Sequence, residues 1–198
     1  MSLKGWLSTG GAAAAPPAAA PYAVTEAGLR RLAPAGRPAI LAGVARNFDR
    51  LASARGLATR LRICHFLAQA AHETDGFRTL QEYGGPAYFA RYEGRRDLGN
   101  LTPGDGARYH GRGIFQLTGR ANYRRYGALI GLDLEAQPER AMEPEISLAI
   151  ALAYWRDRGL DAAADADDVA RVTKLINGGS NGLAERTRLL ALAKTIWV

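Results

Sequence analysis

Ten glycines interrupt the middle of this chain and limit what it can fold into. They lie among aromatic and arginine residues, at positions 76, 84, 85, 94, 99, 104, 106, 111, 113 and 119. So much glycine disfavours long helices, while the aromatic and apolar content is too high for a disordered segment. The sequence therefore predicts an ordered, irregular loop region inside a compact domain, and long ordered loops are usually functional.

Helical patterns lie on both sides of this region. Apolar residues recur at helical spacing in four segments: 38–54, 121–130, 144–158 and 183–197. Thr25 and Thr59 are predicted to cap two further helices, and Asp167 or Asp168 a third that runs through Val169 and Val172. The residues alone thus predict a mostly helical domain with a glycine-rich groove in its middle.

Size and composition exclude several classes of protein. At 198 residues and 47% hydrophobic content the chain can bury a core, and no apolar run approaches the roughly 18–20 residues of a membrane helix. We therefore expect no membrane insertion. The single cysteine, Cys64, is predicted to be a buried apolar residue, and it excludes an internal disulfide framework. With only three histidines besides, neither a metal site nor a cofactor is expected.

The first 23 residues differ from the rest. Residues 10–21 read GGAAAAPPAAAP, where prolines break helices and alanines are too small to form a core. Residues 1–23 are therefore predicted to be a flexible tail or linker, and 24–198 the functional domain. The prolines and a single lysine also argue against an export signal, so we expect synthesis in the cytoplasm without an evident signal peptide.

The charge of the chain favours an anionic polymer as its partner. The net charge is +7, and 23 of the 26 basic residues are arginine. Positive charge of this size suits nucleic acid or an acidic cell envelope. A GC-rich coding sequence is the alternative origin of so many arginines, so charge alone does not name the partner.

Two glutamates in residues 71–85 could carry chemistry. Glu73 is predicted at the end of an apolar-striped helix, where partial desolvation favours the protonated form that can act as an acid. Glu82 follows nine residues later, and a continued helix would carry it about 13.5 Å along the axis, to the opposite face. A shared site therefore requires the helix to stop near Gly76 and the chain to double back. The alternative is that both are ordinary solvated charges.

Other kinds of catalytic site lack their residues. His72 and Glu73 would need a second histidine at position 76 to form a zinc protease motif, and that position is Gly76. No serine has a nucleophile-elbow setting, and Cys64 is predicted to be buried. The Gly111–Gly113 segment lacks the spacing of a phosphate-binding loop.

Five blocks in one order resemble family-19 glycoside hydrolases: FLAQAAHETDGF (66–77), the Glu82 segment, RYEGRRDLGN (91–100), GDGARYHGRGIFQLTGRANY (104–123) and LINGGSNGLAERTR (175–188). That family contains chitinases and the endolysins that cut peptidoglycan. The endolysin branch looks closest, because the 91–113 segment is short and the plant-chitinase cysteines are missing. The resemblance implies a mainly α, lysozyme-like, two-lobed fold around a sugar cleft.

The resemblance also implies an inverting mechanism with two carboxyls. Glu73 matches the general acid that protonates the glycosidic oxygen, and Glu82 matches the general base that activates water. Inverting enzymes hold such carboxyls about 6.5–9.5 Å apart, so that a water fits between them. Thr118 would help to position that water, or else serve as a turn hydroxyl.

Further positions match residues of the family that bind sugar. Gln116, Asn122 and Tyr123 resemble residues that meet N-acetyl sugars with amide and hydroxyl groups. Asn177 matches a sugar-binding asparagine, its alternative being a turn residue before Gly178. Arg186, grouped with these positions, matches an arginine that supports the carboxyls, although a surface salt bridge is equally compatible with the sequence.

Other side chains near the two glutamates have competing interpretations. Tyr83, Tyr88 and Tyr92 could stack on sugars, but core packing is the commoner fate of such aromatics. His72 is expected to brace the helix end. Glu93 is a rival carboxylate, and the neighbouring glycine and arginines predict a salt-bridged loop instead.

The resemblance and the charge together favour one substrate class. The leading hypothesis is an endolysin that cleaves β-1,4 bonds of peptidoglycan, whose lactyl and peptide carboxylates suit an arginine-rich groove, whereas chitin is neutral. A chitinase is the alternative within the fold. A non-catalytic basic module is the alternative of another class, but Glu73 and Glu82 would repel a polyanion, so no nucleic acid partner is expected. The protein is expected to be a monomer that acts on the bacterial cell wall, in the periplasm or outside the cell.

Overall fold

The computed structural model describes residues 22–198 of the chain. The predicted tail lies outside the described residues except for positions 22 and 23, so the boundary of the functional domain stays a prediction. The chain divides into two compact units. Of the described residues, 80–153 form one, here called the glycine-rich unit, and 22–79 with 154–198 form the other, here called the helical unit.

The described residues are mostly helical. In chain order the α-helices are α1 (Glu26–Leu32), α2 (Pro38–Ser53), α3 (Arg60–Glu73), α4 (Pro86–Phe89), α5 (Asp105–Arg108), α6 (Arg120–Ile130), α7 (Pro144–Asp157), α8 (Asp161–Asp165), α9 (Val169–Asn177) and α10 (Leu183–Ile196). Short 3-10 helices span Ala90–Tyr92, Arg96–Leu98 and Pro138–Met142. None of these helices has the length and hydrophobicity of a membrane span.

The predicted helices are confirmed, and their caps explain where they begin. The Thr25 hydroxyl accepts the N–H of Gly28, and the Thr59 hydroxyl accepts that of Arg62. At α9 the cap is Asp168, whose carboxylate accepts the N–H of Arg171 at 2.9 Å. Such caps satisfy N–H groups that have no partner within the helix.

The core of the helical unit is built on α3. This helix packs against α10 and α8, and its apolar residues from Ile63 to Ala71 are buried. The ring of Phe66 meets Phe48 and Trp155 edge-to-face, with centroids 5.7 and 5.5 Å apart. Cys64 is buried as predicted, and burial raises the pKa of its thiol to about 11, which leaves the thiol protonated and unreactive. The helix that carries Glu73 is thus fixed along its length.

The glycine-rich unit holds the irregular region that the sequence predicts. Between residues 80 and 119 it contains only short helices and two isolated antiparallel bridges, Gln81↔Arg112 and Arg112↔Leu117. Gly119 shows why glycine is needed here. Its φ is +91°, and an added Cβ would lie 2.7 Å from the carbonyl oxygen of Leu98. Close backbone packing of this kind orders the region without long helices.

Candidate active site

Glu73 is the last residue of α3, in the helical unit. The helix ends because three successive residues, Asp75, Gly76 and Phe77, have positive φ angles of 52°, 68° and 56°. The hydroxyl of Thr74 secures this turn, since it donates to the carbonyl of Ala70 and accepts the N–H of Phe77. The predicted break near Gly76 is therefore present, and two non-glycine residues hold strained backbone beside the carboxyl. Strain of this kind clusters at functional sites.

A buried arginine holds the Glu73 carboxylate. The guanidinium of Arg186 donates to Glu73 Oε1, to the side-chain oxygen of Gln69, and to the carbonyl of Asn181 at 3.3 Å. The Arg186 side chain is 3% exposed and that of Glu73 is 18% exposed. Arg186 thus supports a carboxyl, one of the two roles that its sequence context allowed. Its grouping with the sugar-binding residues is corrected, because its donors already serve protein atoms.

His72 and the loop 177–182 surround this end of α3. His72 Nδ1 lies 2.8 Å from a carboxylate oxygen of Glu185, which agrees with a bracing role. Gly182 packs on the imidazole so closely that an added Cβ would lie 2.4 Å from His72 Cε1. The Asn177 side chain accepts the N–H of Gly179 and donates to the carbonyl of Asn181. Asn177 therefore shapes the loop as a turn residue, and its contact with sugar stays a prediction.

Glu82 lies in the glycine-rich unit, next to the bridge residue Gln81. Its Oε1 accepts from the Arg91 guanidinium at 2.8 Å and from the Tyr92 hydroxyl at 2.7 Å, and its Oε2 accepts from the Gly111 N–H at 3.0 Å. Burial, aided by the hydrogen bond to Glu82, raises the pKa of Tyr92, so the phenol keeps the proton that it donates. Three donors thus fix the orientation of this carboxylate.

Gln116 and Thr118 lie on either side of the bridge residue Leu117, and Asn122 lies in the first turn of α6. Gln116 has a φ of +48° and donates from its amide to the carbonyl of Gly113. A Cβ on Gly111 would lie 2.7 Å from Gln116 Oε1 and 3.0 Å from Glu82 Oε2, which places both groups against this glycine. Thr118 donates to the carbonyl of Gln116, and Asn122 donates to the carbonyl of Thr118. All three side chains are partly exposed, and their contacts with substrate stay predictions.

Tyr123 was predicted to contact sugar, and the structure corrects this interpretation. Its side chain is fully buried, accepting from Arg112 and donating to the carbonyl of His110. Burial raises the pKa of Tyr123 to about 12. The motif placed Tyr123 beside Asn122, but on a helix adjacent residues point in different directions, and this one points into the core.

The loop around the rival carboxylate Glu93 does contain ion pairs, Arg91 with Glu82 and Arg95 with Asp97, but Glu93 itself has other partners among the contacts described. It accepts instead the backbone N–H groups of Gly104 and Gly106, at 2.7 and 2.8 Å, one on each oxygen. This arrangement uses Glu93 to fix the start of α5. The arginines of the segment also differ among themselves, since Arg112 is buried on Tyr123 while Arg91 is half exposed.

The two glutamates have partners that sequence reasoning missed. Gln69 was not singled out in the sequence, although a polar residue one turn before Glu73 lies on the same face of α3 and indicates a buried partner. The contact of Tyr92 with Glu82 was missed because a tyrosine ten residues away carries no periodic signal. Among the described residues, no group of three His, Cys, Asp or Glu side chains could hold a metal ion.

A cavity of the glycine-rich unit is lined by other residues. Its volume is about 880 Å³, and it is lined by Thr102–Asp105, Ala107–Tyr109, Arg120, Asp133, Glu135 and Ala136. The charged groups in its wall bind one another, as Arg120 bonds both Asp105 and Glu135. None of the predicted site residues lines this cavity.

Comparison of the sequence with known proteins identifies relatives of this chain. A family model described as "Chitinase class I", for glycoside hydrolase family 19, matches residues 38–173. A Haemophilus influenzae protein, described as a glycosyl hydrolase family 19 domain-containing protein, is 30% identical over 162 residues, which cover 68% of this chain and 79% of that protein. Endochitinase 1 of Theobroma cacao is 36% identical over 122 residues, which cover 56% of this chain but only 38% of that protein.

The fold agrees with these matches. The crystal structure of chitinase C from Streptomyces griseus superposes with a TM-score of 0.74 at 21% identity, covering 89% of this chain and 93% of that chain. This likeness confirms the predicted mainly α, lysozyme-like fold class.

Proposed function

This chain belongs to glycoside hydrolase family 19, and we propose that it cleaves the β-1,4 bonds of bacterial peptidoglycan strands by an inverting mechanism with two carboxyls. The family makes the chain a glycoside hydrolase of chitinase-like fold. The polymer, the stereochemistry and the roles of single residues are the parts that we propose. The resemblance to endolysins described above is the ground for choosing peptidoglycan, and charge is the second.

Glu73 is proposed as the general acid. Arg186 binds its Oε1, which leaves Oε2 as the oxygen that can carry a proton to the glycosidic oxygen. The strained turn after Glu73 and the three contacts of Arg186 keep the carboxyl from rotating away. Positional control of this kind is what proton transfer to a leaving group requires.

Glu82 is proposed as the general base. Its three donors hold its side chain in place, and Oε2 accepts only the Gly111 N–H among the contacts described, so a lone pair remains for the proton of the attacking water. The Thr118 hydroxyl donates to the Gln116 carbonyl, so its oxygen can accept a hydrogen bond from that water. Water activated in this way attacks from the face opposite the leaving group and inverts the anomeric centre.

The observation that carries the peptidoglycan assignment is the half-exposed guanidinium of Arg91 beside Glu82. The stem peptides of peptidoglycan supply carboxylates for such a cation, and the net charge of +7 acts in the same direction. Chitin is the second candidate substrate. It is favoured by the names of the cacao endochitinase and the Streptomyces chitinase, which the chain resembles.

One digestion tests both the substrate and the mechanism. Purified cell walls and chitin oligomers are incubated with the protein, and the products are examined by mass spectrometry and by NMR within the first minutes. We expect cell-wall fragments that end in reducing N-acetylmuramic acid, and a first product of inverted configuration. Efficient chitin hydrolysis without wall cleavage would establish the chitinase, and retained configuration would contradict the inverting mechanism.

The place of action follows from the substrate in this proposal. A peptidoglycan hydrolase must reach the cell wall, so we propose that the protein acts in the periplasm or outside the cell. A monomer is sufficient for this activity, because both proposed carboxyls belong to one chain.

A further inference from the structure

Arg91 contacts two tyrosines as well as the carboxylate of Glu82. Its guanidinium donates to Glu82 Oε1 at 2.8 Å and to the Tyr92 hydroxyl at 2.7 Å, and its central carbon lies 3.7 Å from the centroid of the Tyr88 ring. The Arg91 side chain is 48% exposed, whereas that of Glu82 is 16% exposed. The arginine thus covers a carboxylate from the solvent side and rests on an aromatic ring.

The contact between Arg91 and Glu82 can be exchanged at little cost. Water and salt screen an exposed ion pair, so replacing one carboxylate partner by another changes its energy little. The Tyr88 ring offers the guanidinium a contact that does not depend on Glu82, because a cation is attracted to an aromatic face. Arg91 can therefore exchange one carboxylate partner for another while its guanidinium stays on the Tyr88 ring.

Glu82 keeps other partners when Arg91 turns away. The Tyr92 hydroxyl accepts from Arg91 and donates its own proton to Glu82 Oε1, while the Gly111 N–H holds Oε2. The carboxylate therefore stays oriented after the arginine has gone. Its Oε1 also regains an acceptor position that the Arg91 guanidinium had occupied, so it can accept a hydrogen bond from water.

We propose that Arg91 is a specificity residue that exchanges Glu82 for a carboxylate on the glycan, so that binding of an anionic substrate releases the general base. The inference rests on the proposed role of Glu82 as the base. No covalent bond changes in this step, because the guanidinium keeps its charge and only its acceptor changes. A neutral glycan offers no such acceptor, so Arg91 then stays on Glu82 and turnover is slower.

The test compares two soluble polymers with the same backbone, neutral glycol chitin and anionic carboxymethyl chitin. Initial rates give kcat and KM for the wild type, Arg91→Gln and Arg91→Lys. Arg140→Gln is the matched control, because Arg140 forms a comparable exposed pair with Glu143 at 3.1 Å in the same unit and its loss changes the net charge equally. Thermal unfolding of each variant confirms that it is folded.

We expect Arg91→Gln to lower kcat/KM on carboxymethyl chitin about fivefold, and to raise kcat on glycol chitin, because the guanidinium no longer occupies the base. The kcat/KM of Arg91→Lys should fall between those of the wild type and Arg91→Gln, since lysine keeps the charge but lacks the planar guanidinium. Arg140→Gln should match the wild type on both polymers. An equal loss on both polymers, or no loss on either, would overturn the inference.

The result of this test can be distinguished from the result of the test of the proposed function. Cell walls are digested in parallel with the wild type. If the walls resist while Arg91→Gln still abolishes the preference for carboxymethyl chitin, peptidoglycan is the wrong polymer and Arg91 keeps its assigned role. If the walls are cleaved and Arg91→Gln slows both soluble polymers equally, the exchange is wrong and the substrate assignment stands.

Discussion

Glu73 and Glu82 are each bound by an arginine, but the two arginines lie in opposite surroundings. In the helical unit Arg186 is 3% exposed and reaches Glu73, Gln69 and a backbone carbonyl. In the glycine-rich unit Arg91 is 48% exposed and rests on the ring of Tyr88. A buried, fully bonded guanidinium cannot leave without exposing an unpaired charge, whereas an exposed one exchanges partners freely. The first pair is built to hold a carboxyl still, and the second to let one be released.

This difference matches the two proposed roles. An acid that must point at one oxygen gains from a fixed partner, and that partner is anchored on α10 while the carboxyl is anchored on α3. A base must accept a proton only when a substrate is present, and it gains from a cation that substrate can draw away. Four predictions test this comparison.

The largest effect is expected for Glu73→Gln. The glutamine amide has the shape of the carboxyl, and its oxygen can still accept a hydrogen bond from Arg186. It has no acidic proton to transfer to the leaving group, so kcat should fall about 10²- to 10⁴-fold. An aryl glycoside, whose leaving group needs no protonation, should recover much of the lost rate. Kinetics on chitin oligomers and on the aryl substrate measure both values.

Glu26→Gln provides the control for this variant. Glu26 is an exposed glutamate of the helical unit, paired with Arg30 at 2.7 Å, and its loss should leave both rates unchanged. An equal loss of Glu73→Gln activity on both substrates would mean that Glu73 maintains structure rather than donating a proton.

Glu82→Ala should reduce turnover to a similar or smaller extent, and azide should restore part of it. The substitution vacates a space that faces the cation of Arg91, which attracts a small anion to the position of the lost carboxylate. The product should be a glycosyl azide of inverted configuration, which NMR identifies. Full activity without azide would remove Glu82 from the mechanism. Glu93 would then need testing, although both of its oxygens bind backbone N–H groups.

Arg186→Ala should destabilise the protein far more than Arg91→Gln. Breaking a buried ion pair costs about 3–5 kcal/mol, and the partial exposure of Glu73 argues for the lower end, about 3 kcal/mol. Urea unfolding gives the free energies directly. For Arg91→Gln the unfolding midpoint should not move. Equal midpoints for the two variants would abolish the distinction between a holding pair and an exchanging pair.

The sequence predicts the helices well because their signals are local. Caps at Thr25, Thr59 and Asp168, and the apolar stripe of α3, depend on residues within one or two turns of each other. The break after Glu73 was also predictable, since Gly76 lies where the chain must turn. These local signals are sufficient to predict the fold class. The five matching segments, which occur in one order along the chain, are sufficient to predict the family.

The partners of the two carboxyls could not be read in the same way. Arg186 is 113 residues from Glu73 in sequence, and only tertiary packing brings it to α3. For Tyr123 the sequence predicted a contact that the structure does not show. A match to a motif placed it among the sugar contacts, but its position on α6 directs its side chain into the core. Motif positions identify which residue types a site needs, and helix geometry decides which of them face it.

A third group of arginine–carboxylate pairs, in which one arginine is less exposed than Arg91 and the other more exposed, provides the test with the smallest expected effect. In the glycine-rich unit Arg120 is 25% exposed and binds Asp105 and Glu135, and Arg124 also binds Glu135. Hydrogen bonding to Arg124 lowers the pKa of Glu135 to about 2, from an ordinary value of 4.5. Because the pKa is lower in the folded state, this group stabilises the protein fully above about pH 4.5 and loses its contribution as the pH falls towards 2.

We therefore expect hydrogen exchange in the segment 101–136 to accelerate as the pH falls from 4.5 towards 2, beyond the change in intrinsic exchange rate, and before the α3 peptides lose protection. Arg124→Gln removes the main cause of the lowered pKa of Glu135, so the acceleration should be smaller and should be complete at a higher pH. Its effect should be smaller than that of Arg186→Ala, because Arg124 is 67% exposed and solvent screens its pair. Mass spectrometry of exchanged peptides measures both segments in one sample. If Arg124→Gln changed neither the extent of the acceleration nor the pH at which it is complete, the hydrogen bond from Arg124 would not be what lowers the pKa of Glu135.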